Sequence, residues 1–114
     1  MYVHNSWLYL KPELRDGYVE RLLEEVRHAK KVEKAVLRFD VYESLDDPSL
    51  IHTYEVFTDR EAWEFHHDQT YLKEFQKATR HMFDQEKQKT RRTIECRTIV
   101  PADDVWEAVR AERG

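Results

Sequence analysis

His66 and Tyr71 are the side chains in this sequence best suited to chemistry. They stand at helical spacing just after an abrupt helix start, and Ala62, Phe65 and His66 are expected on one face of that helix. Such a face puts a titratable ring beside apolar neighbours. Partial desolvation disfavours the charged imidazolium and leaves a neutral ring able to take a proton near pH 7. A hydroxyl such as that of Tyr71 could then hydrogen-bond the oxyanion that forms. Asn5 could do the same. It lies in a strand-like run, where asparagine is depleted, so its presence calls for a reason. Trp7 and Trp63 read as walls of a core or pocket, and Phe39 as an apolar strand residue able to touch a substrate. Glu55 is a charge inside a strand; it enters the pocket or pairs with an arginine such as Arg97 at an interface. The expected site is thus His66, Tyr71 and Asn5 for catalysis, with Trp7, Trp63, Phe39 and Glu55 around the substrate. Each also has a plain structural reading: His66 can satisfy a carbonyl, and Tyr71 can be a core aromatic with its hydroxyl at the rim. His67, one position round the helix, is expected to be inert.

Other chemistries find little support. His66 and His67 are adjacent and cannot face one ion from one helix, and no H-E-x-x-H is present. His4 and His52 offer at most two ligands across neighbouring strands. The chain has only Gly17 and Gly114, so it has no glycine-rich phosphate loop. Cys96 is the only cysteine, which excludes an internal disulfide and a thiolate metal site; it reads as a small buried packing residue. No cofactor and no structural metal are expected.

The elements that must position these residues follow from periodicity. Val3–Leu10 is a strand-like run with Val3, Asn5, Trp7 and Tyr9 on one face and His4, Ser6, Leu8 and Leu10 on the other. Pro12 suits the first turn of a helix. Tyr18, Val19, Leu22, Leu23, Val26 and Ala29 then form one apolar stripe. Residues 35–43 alternate as a strand, Asp46, Asp47 and Pro48 make a turn, and residues 51–57 form the next strand. Thr58 or Asp59 caps the following helix, which Asp68–Thr70 interrupts before a stripe of Leu72, Phe75, Thr79 and Met82. Residues 92–100 close the sheet, with Ile94 and Cys96 on one side. Asp103 or Asp104 could cap a short terminal helix, docked through Trp106. The domain is read as residues 1–100, with 101–114 as a C-terminal extension.

This βαββαβ order is the ferredoxin-like α+β unit, a four-stranded antiparallel sheet with helices on one face. The face carrying Leu8 and Leu10 is expected to need a cover, which a second copy supplies most simply, giving a homodimer packed sheet on sheet. At 114 residues the chain suits one domain with a sizeable core. A net charge of −4, with basic residues scattered among acids, argues against nucleic-acid binding; the one basic run, residues 87–92, is flanked by Glu86 and Glu95. No run reaches the roughly 18 apolar residues of a membrane span, and no signal peptide is read. The expected location is cytoplasmic.

Over residues 1–100 the chain resembles the antibiotic biosynthesis monooxygenase superfamily of dimeric α+β barrels. Tyr54-Glu55-Val56 ends a strand, and Asp59, Ala62, His66, Tyr71 and Phe75 follow at that family's spacing. The LRFDV of the second strand is most similar to the branch that includes the phospho-autoinducer-2 isomerases. The resemblance implies a pocket between helices and sheet. It matches Asn5 to an asparagine of haem-degrading members and Tyr71 to a tyrosine near the substrate phenol of polyketide monooxygenases. Haem itself is not implied, because residues 75–77 hold no axial histidine and His81 lies more than a turn away. The implied activity is cofactor-independent monooxygenation of an aromatic, quinol or polyketide-like substrate, with molecular oxygen as co-substrate. Two alternatives stand beside it: isomerisation of a small phosphorylated dicarbonyl sugar derivative, and a non-catalytic dimeric ligand-binding module.

Overall fold

The computed structural model describes residues 1–89 and 93–99. Strand β1 (Tyr2–Tyr9) leads through a 3-10 turn at Pro12–Leu14 into helix α1 (Arg15–Val32). Pro12 opens that turn, where a missing N–H leaves no bond unmade. Tyr18, Leu22, Val26 and Ala29 recur at helical spacing and are the buried side of α1. Strands β2 (Val36–Glu43) and β3 (Leu50–Phe57) form a hairpin. Its loop is closed by side chains: Ser44 Oγ accepts from the N–H groups of Asp46 and Asp47, and Asp47 Oδ1 accepts from that of Ser49. Helix α2 (Arg60–His67) starts at Asp59, whose Oδ1 accepts the Ala62 N–H at 2.8 Å. The chain breaks at Asp68 and Gln69 and resumes as α3 (Thr70–Thr79). A 3-10 turn (Arg80–Met82), the short α4 (Gln85–Gln88) and strand β4 (Thr93–Arg97) follow. The expected C-terminal helix lies outside the described residues.

The strands make one antiparallel sheet in the order β2-β3-β1-β4, the ferredoxin-like arrangement expected from the element order. β1 and β3 are its centre, in a register that pairs Leu8 with Ile51, Ser6 with Thr53 and His4 with Glu55. These three pairs face the helices. Leu8, Leu10 and Ile51 join Tyr18, Leu22, Val26 and Phe75 in the core. The pairs between them in the same register, Val3–Val56, Asn5–Tyr54 and Trp7–His52, belong to the opposite face, which is helix-free among the described residues.

Three expectations change here. Leu8 and Leu10 lie beneath the helices, and the helix-free face is built from Val3, Trp7, Tyr9 and Tyr54 instead. Phe65 does not share the buried face of α2; it is 61% exposed while His66 is 2% exposed. One helical step of about 100° is enough to separate them. Cys96 is exposed rather than buried, because β4 is an edge strand whose five residues are all exposed.

Candidate active site

The central strands and the helices border a half-open cavity of about 370 Å³. Its polar wall comes from the sheet (His4, Ser6, Thr53 and Glu55) and from the end of α2 (His66 and His67). Its apolar wall includes Leu8, Phe39, Leu72 and Phe75. The size is at the lower end of the roughly 300–1,000 Å³ typical of small-ligand sites.

His66 is the centre of the polar wall. The last turn of α2 carries it inward, between the rings of Phe57 and Phe39 at centroid distances of 5.4 and 6.3 Å. Its Nδ1 lies 2.7 Å from Oε2 of Glu33. The Tyr71 hydroxyl donates to that same carboxylate oxygen and lies 3.5 Å from Nδ1. Glu33 stands just past the end of α1, where its N–H still bonds the Ala29 carbonyl, and its side chain is buried. A carboxylate can only accept, so Nδ1 carries the proton and donates it to Glu33. In the neutral ring this leaves Nε2 as the bare acceptor. Nε2 lies 3.9 Å from Oε1 of Glu55, across the cavity wall.

Glu55 is 6% exposed, and burial pushes its carboxyl up to about 8 against the pull of a Thr53 hydrogen bond. At neutral pH it is mostly the neutral acid, able to donate a hydrogen bond. The Tyr71 hydroxyl is raised well above its usual range, by burial first and then by the Glu33 carboxylate, and so stays a donor.

The structure brings His66, Glu55 and Phe39 together on one cavity. Glu55 faces the helices, so of the two alternatives it takes the pocket, and the titratable side chain nearest it there is His66 rather than Arg97. Tyr71 does not reach the cavity. It sits behind His66, on the Nδ1 side, with the His28 ring against it at 4.4 Å. Trp63 likewise stands outside the lining, packed on Tyr2, His4 and His67. Asn5 and Trp7 project from the opposite face of the sheet. There Asn5 Oδ1 is 3.1 Å from His52 Nε2, and Trp7 stacks on the His52 ring at 4.6 Å. Neither touches the His66 cavity, and the reason is parity: residues 5 and 7 alternate with 4, 6 and 8. His4 and His52 also fall on opposite faces, which removes them as a ligand pair. Among the described residues no group of three or more His, Cys, Asp or Glu is placed to hold a metal ion. His67 also lines the cavity, with its ring 5.7 Å from His4.

Sequence reasoning missed Glu33, Ser6, Thr53 and His4. Ser6 and Thr53 were recoverable, since they share a strand face with Leu8 and Glu55 respectively. Glu33 carried no signal: in KKVEK it reads as one more solvated charge at the end of a helix.

Similarity to known proteins agrees with this architecture. The family model described as antibiotic biosynthesis monooxygenase matches residues 1–78. No curated protein matches the chain. Solved structures similar to it include a provisionally named antibiotic biosynthesis monooxygenase from Bacteroides thetaiotaomicron, 21% identical, covering 89% of this chain and 91% of that one with a TM-score of 0.77. A second protein provisionally given that name, from Nitrosomonas europaea, is 18% identical over 87% of this chain and 99% of its own, with a TM-score of 0.77. Rv0793 from Mycobacterium tuberculosis is 15% identical, covering 89% of this chain and 97% of its own, with a TM-score of 0.72. At these identities the structures speak for the fold. The family match is broader evidence, because it runs from β1 through nearly all of α3 and so spans every element that supplies Glu33, Glu55, His66 and Tyr71. The chain belongs to the antibiotic biosynthesis monooxygenase family.

Proposed function

We propose that this chain is a cofactor-independent monooxygenase acting on an aromatic, quinol or polyketide-like substrate. The observation that carries the reading is the orientation of His66: Nδ1 is tied to buried Glu33, and Nε2 faces a cavity walled by Phe39 and Phe75. A phenol seated against those rings gives its O–H proton to Nε2, and the electron pair spreads into the ring. Glu33 stabilises the imidazolium that results, and Tyr71 holds Glu33 in place. The electron-rich anion then transfers one electron to molecular oxygen, and the two radicals combine to form the new C–O bond. Loss of water leaves the quinone, so phenol and O2 become quinone and water.

A second reading has its own support. Neutral Glu55 opposite Nε2 is an acid facing a base, which suits keto–enol isomerisation of a small dicarbonyl compound without oxygen. The aromatic wall of the cavity favours the first. Oxygen uptake by the purified protein, measured against a panel of quinols and naphthols without added cofactor, separates the two. Uptake that falls at least ~100-fold in His66→Ala, and stays level in His81→Ala at the exposed turn, supports the monooxygenase. Product formation that continues under argon would replace it with the isomerase.

The working form is read as a homodimer joined through the helix-free sheet face. What supports this is that face's exposed Ile94 and its row of Trp7, Tyr9 and Tyr54. Sedimentation showing only monomer at micromolar concentration would overturn it.

A further inference from the structure

The monooxygenase chemistry above uses one side of the cavity and leaves Glu55 idle. A carboxyl buried to 6% exposure at the centre of a sheet calls for a role, since its burial is costly even with the Thr53 hydrogen bond. Its placement suggests one. Glu55 Oε1 and His66 Nε2 sit 3.9 Å apart on the same cavity wall, too far to hydrogen-bond each other. They are close enough to grip two neighbouring atoms of one ligand. One is a bare acceptor and the other, as the neutral acid, a donor.

We propose that Glu55 is a second substrate-contacting group, and that the site takes compounds with oxygens on adjacent sp² carbons, such as an ortho-diol or an enediol. This deepens the reading of His66 as the base and rests on it. Oxygens on adjacent sp² carbons lie about as far apart as two hydrogen-bonded oxygens, roughly 2.7 Å. Two such oxygens can meet Nε2 and Oε1 together, each along its own hydrogen bond. The hydroxyl oxygen donates its proton to Nε2, breaking O–H and forming N–H. The electron pair stays on that oxygen and spreads into the conjugated system. The neighbouring oxygen accepts a hydrogen bond from the Glu55 carboxyl, which keeps its proton through this step. Oxygens across a ring are about twice as far apart and can satisfy only one of the two groups. Thr53, beside Glu55 on β3 and hydrogen-bonded to it, orients the carboxyl.

The test compares catechol, resorcinol and hydroquinone, which differ only in oxygen placement, by calorimetric titration of the whole protein under argon at neutral pH. Catechol should bind about tenfold more tightly than hydroquinone, the difference expected from one added hydrogen bond in a partly desolvated site. Glu55→Leu should bring catechol to the hydroquinone level without weakening hydroquinone. Equal affinity for the three isomers in the unaltered protein would overturn the proposal whatever the variant does, and so would a catechol preference that survives Glu55→Leu. The monooxygenase reading fails separately. Catechol preference without oxygen uptake from any substrate removes that reading and leaves this one, while uptake without isomer preference does the reverse.

Discussion

Glu55→Gln should change how the stability of this protein depends on pH, and the sign and size follow from burial. The Glu55 carboxyl moves from 4.5 to about 8 because the folded chain takes it out of water. Below pH 4.5 the folded and unfolded chains both hold the neutral acid, and the group imposes no penalty. Between 4.5 and about 8 the unfolded chain ionises while the folded one does not, so stability falls as pH rises. Above about 8 both are ionised and the loss is constant. At about 1.4 kcal/mol per pH unit the full displacement corresponds to about 5 kcal/mol. His66, 3.9 Å away, reduces that cost wherever its ring carries charge, so the expected loss is on the order of 3–5 kcal/mol. Glutamine has nearly the same shape and does not titrate. Urea unfolding of the two proteins at pH 5 and pH 9 reads the difference directly. The gap should widen by that amount in favour of Glu55→Gln. Parallel profiles would mean that the carboxyl reaches water or a buried cation, and the neutral-acid reading would fail.

Other outcomes follow from the same geometry. Glu33→Gln keeps the shape but loses the charge that stabilises imidazolium, so turnover should drop about 10- to 100-fold with KM little changed; equal losses in both would point to binding instead. Asp59→Ala removes the cap on α2 and should cost about 1 kcal/mol in thermal or urea unfolding. Ile51→Ala opens a hole between β3 and α1 at a residue 1% exposed and should cost about 2–5 kcal/mol, a loss visible as a lower Tm.

Much of the fold was legible because local chemistry and tertiary packing agree. The stripe of Tyr18, Leu22, Val26 and Ala29, the Asp59 cap and the Asp46–Pro48 turn all appear where the residues placed them. The site was legible only in part. Alternation sorts β1 into two faces but does not say which one the helices cover, and both faces of this strand carry large apolar residues. Leu8 and Leu10 looked like an open face, and Asn5 and Trp7 looked like pocket residues; in the fold the two sets trade places. Tyr71 was found, but its spacing from His66 does not tell whether the hydroxyl points to the ligand or behind the imidazole. Glu33 was out of reach, since its burial depends on how the end of α1 meets α2 and α3, and nothing local distinguishes it from Glu24 or Glu25.

The proposed chemistry depends on which nitrogen of His66 carries the proton. Long-range proton–nitrogen correlation spectra of the uniformly labelled protein, at a pH where the ring is neutral, read this directly, with His66→Gln to assign the signals. Nδ1 should appear protonated and Nε2 bare, and Glu33→Ala should release that preference. A ring protonated on Nε2, with Nδ1 bare beside Glu33, would leave no base facing the cavity and would contradict the proposed chemistry at its first step.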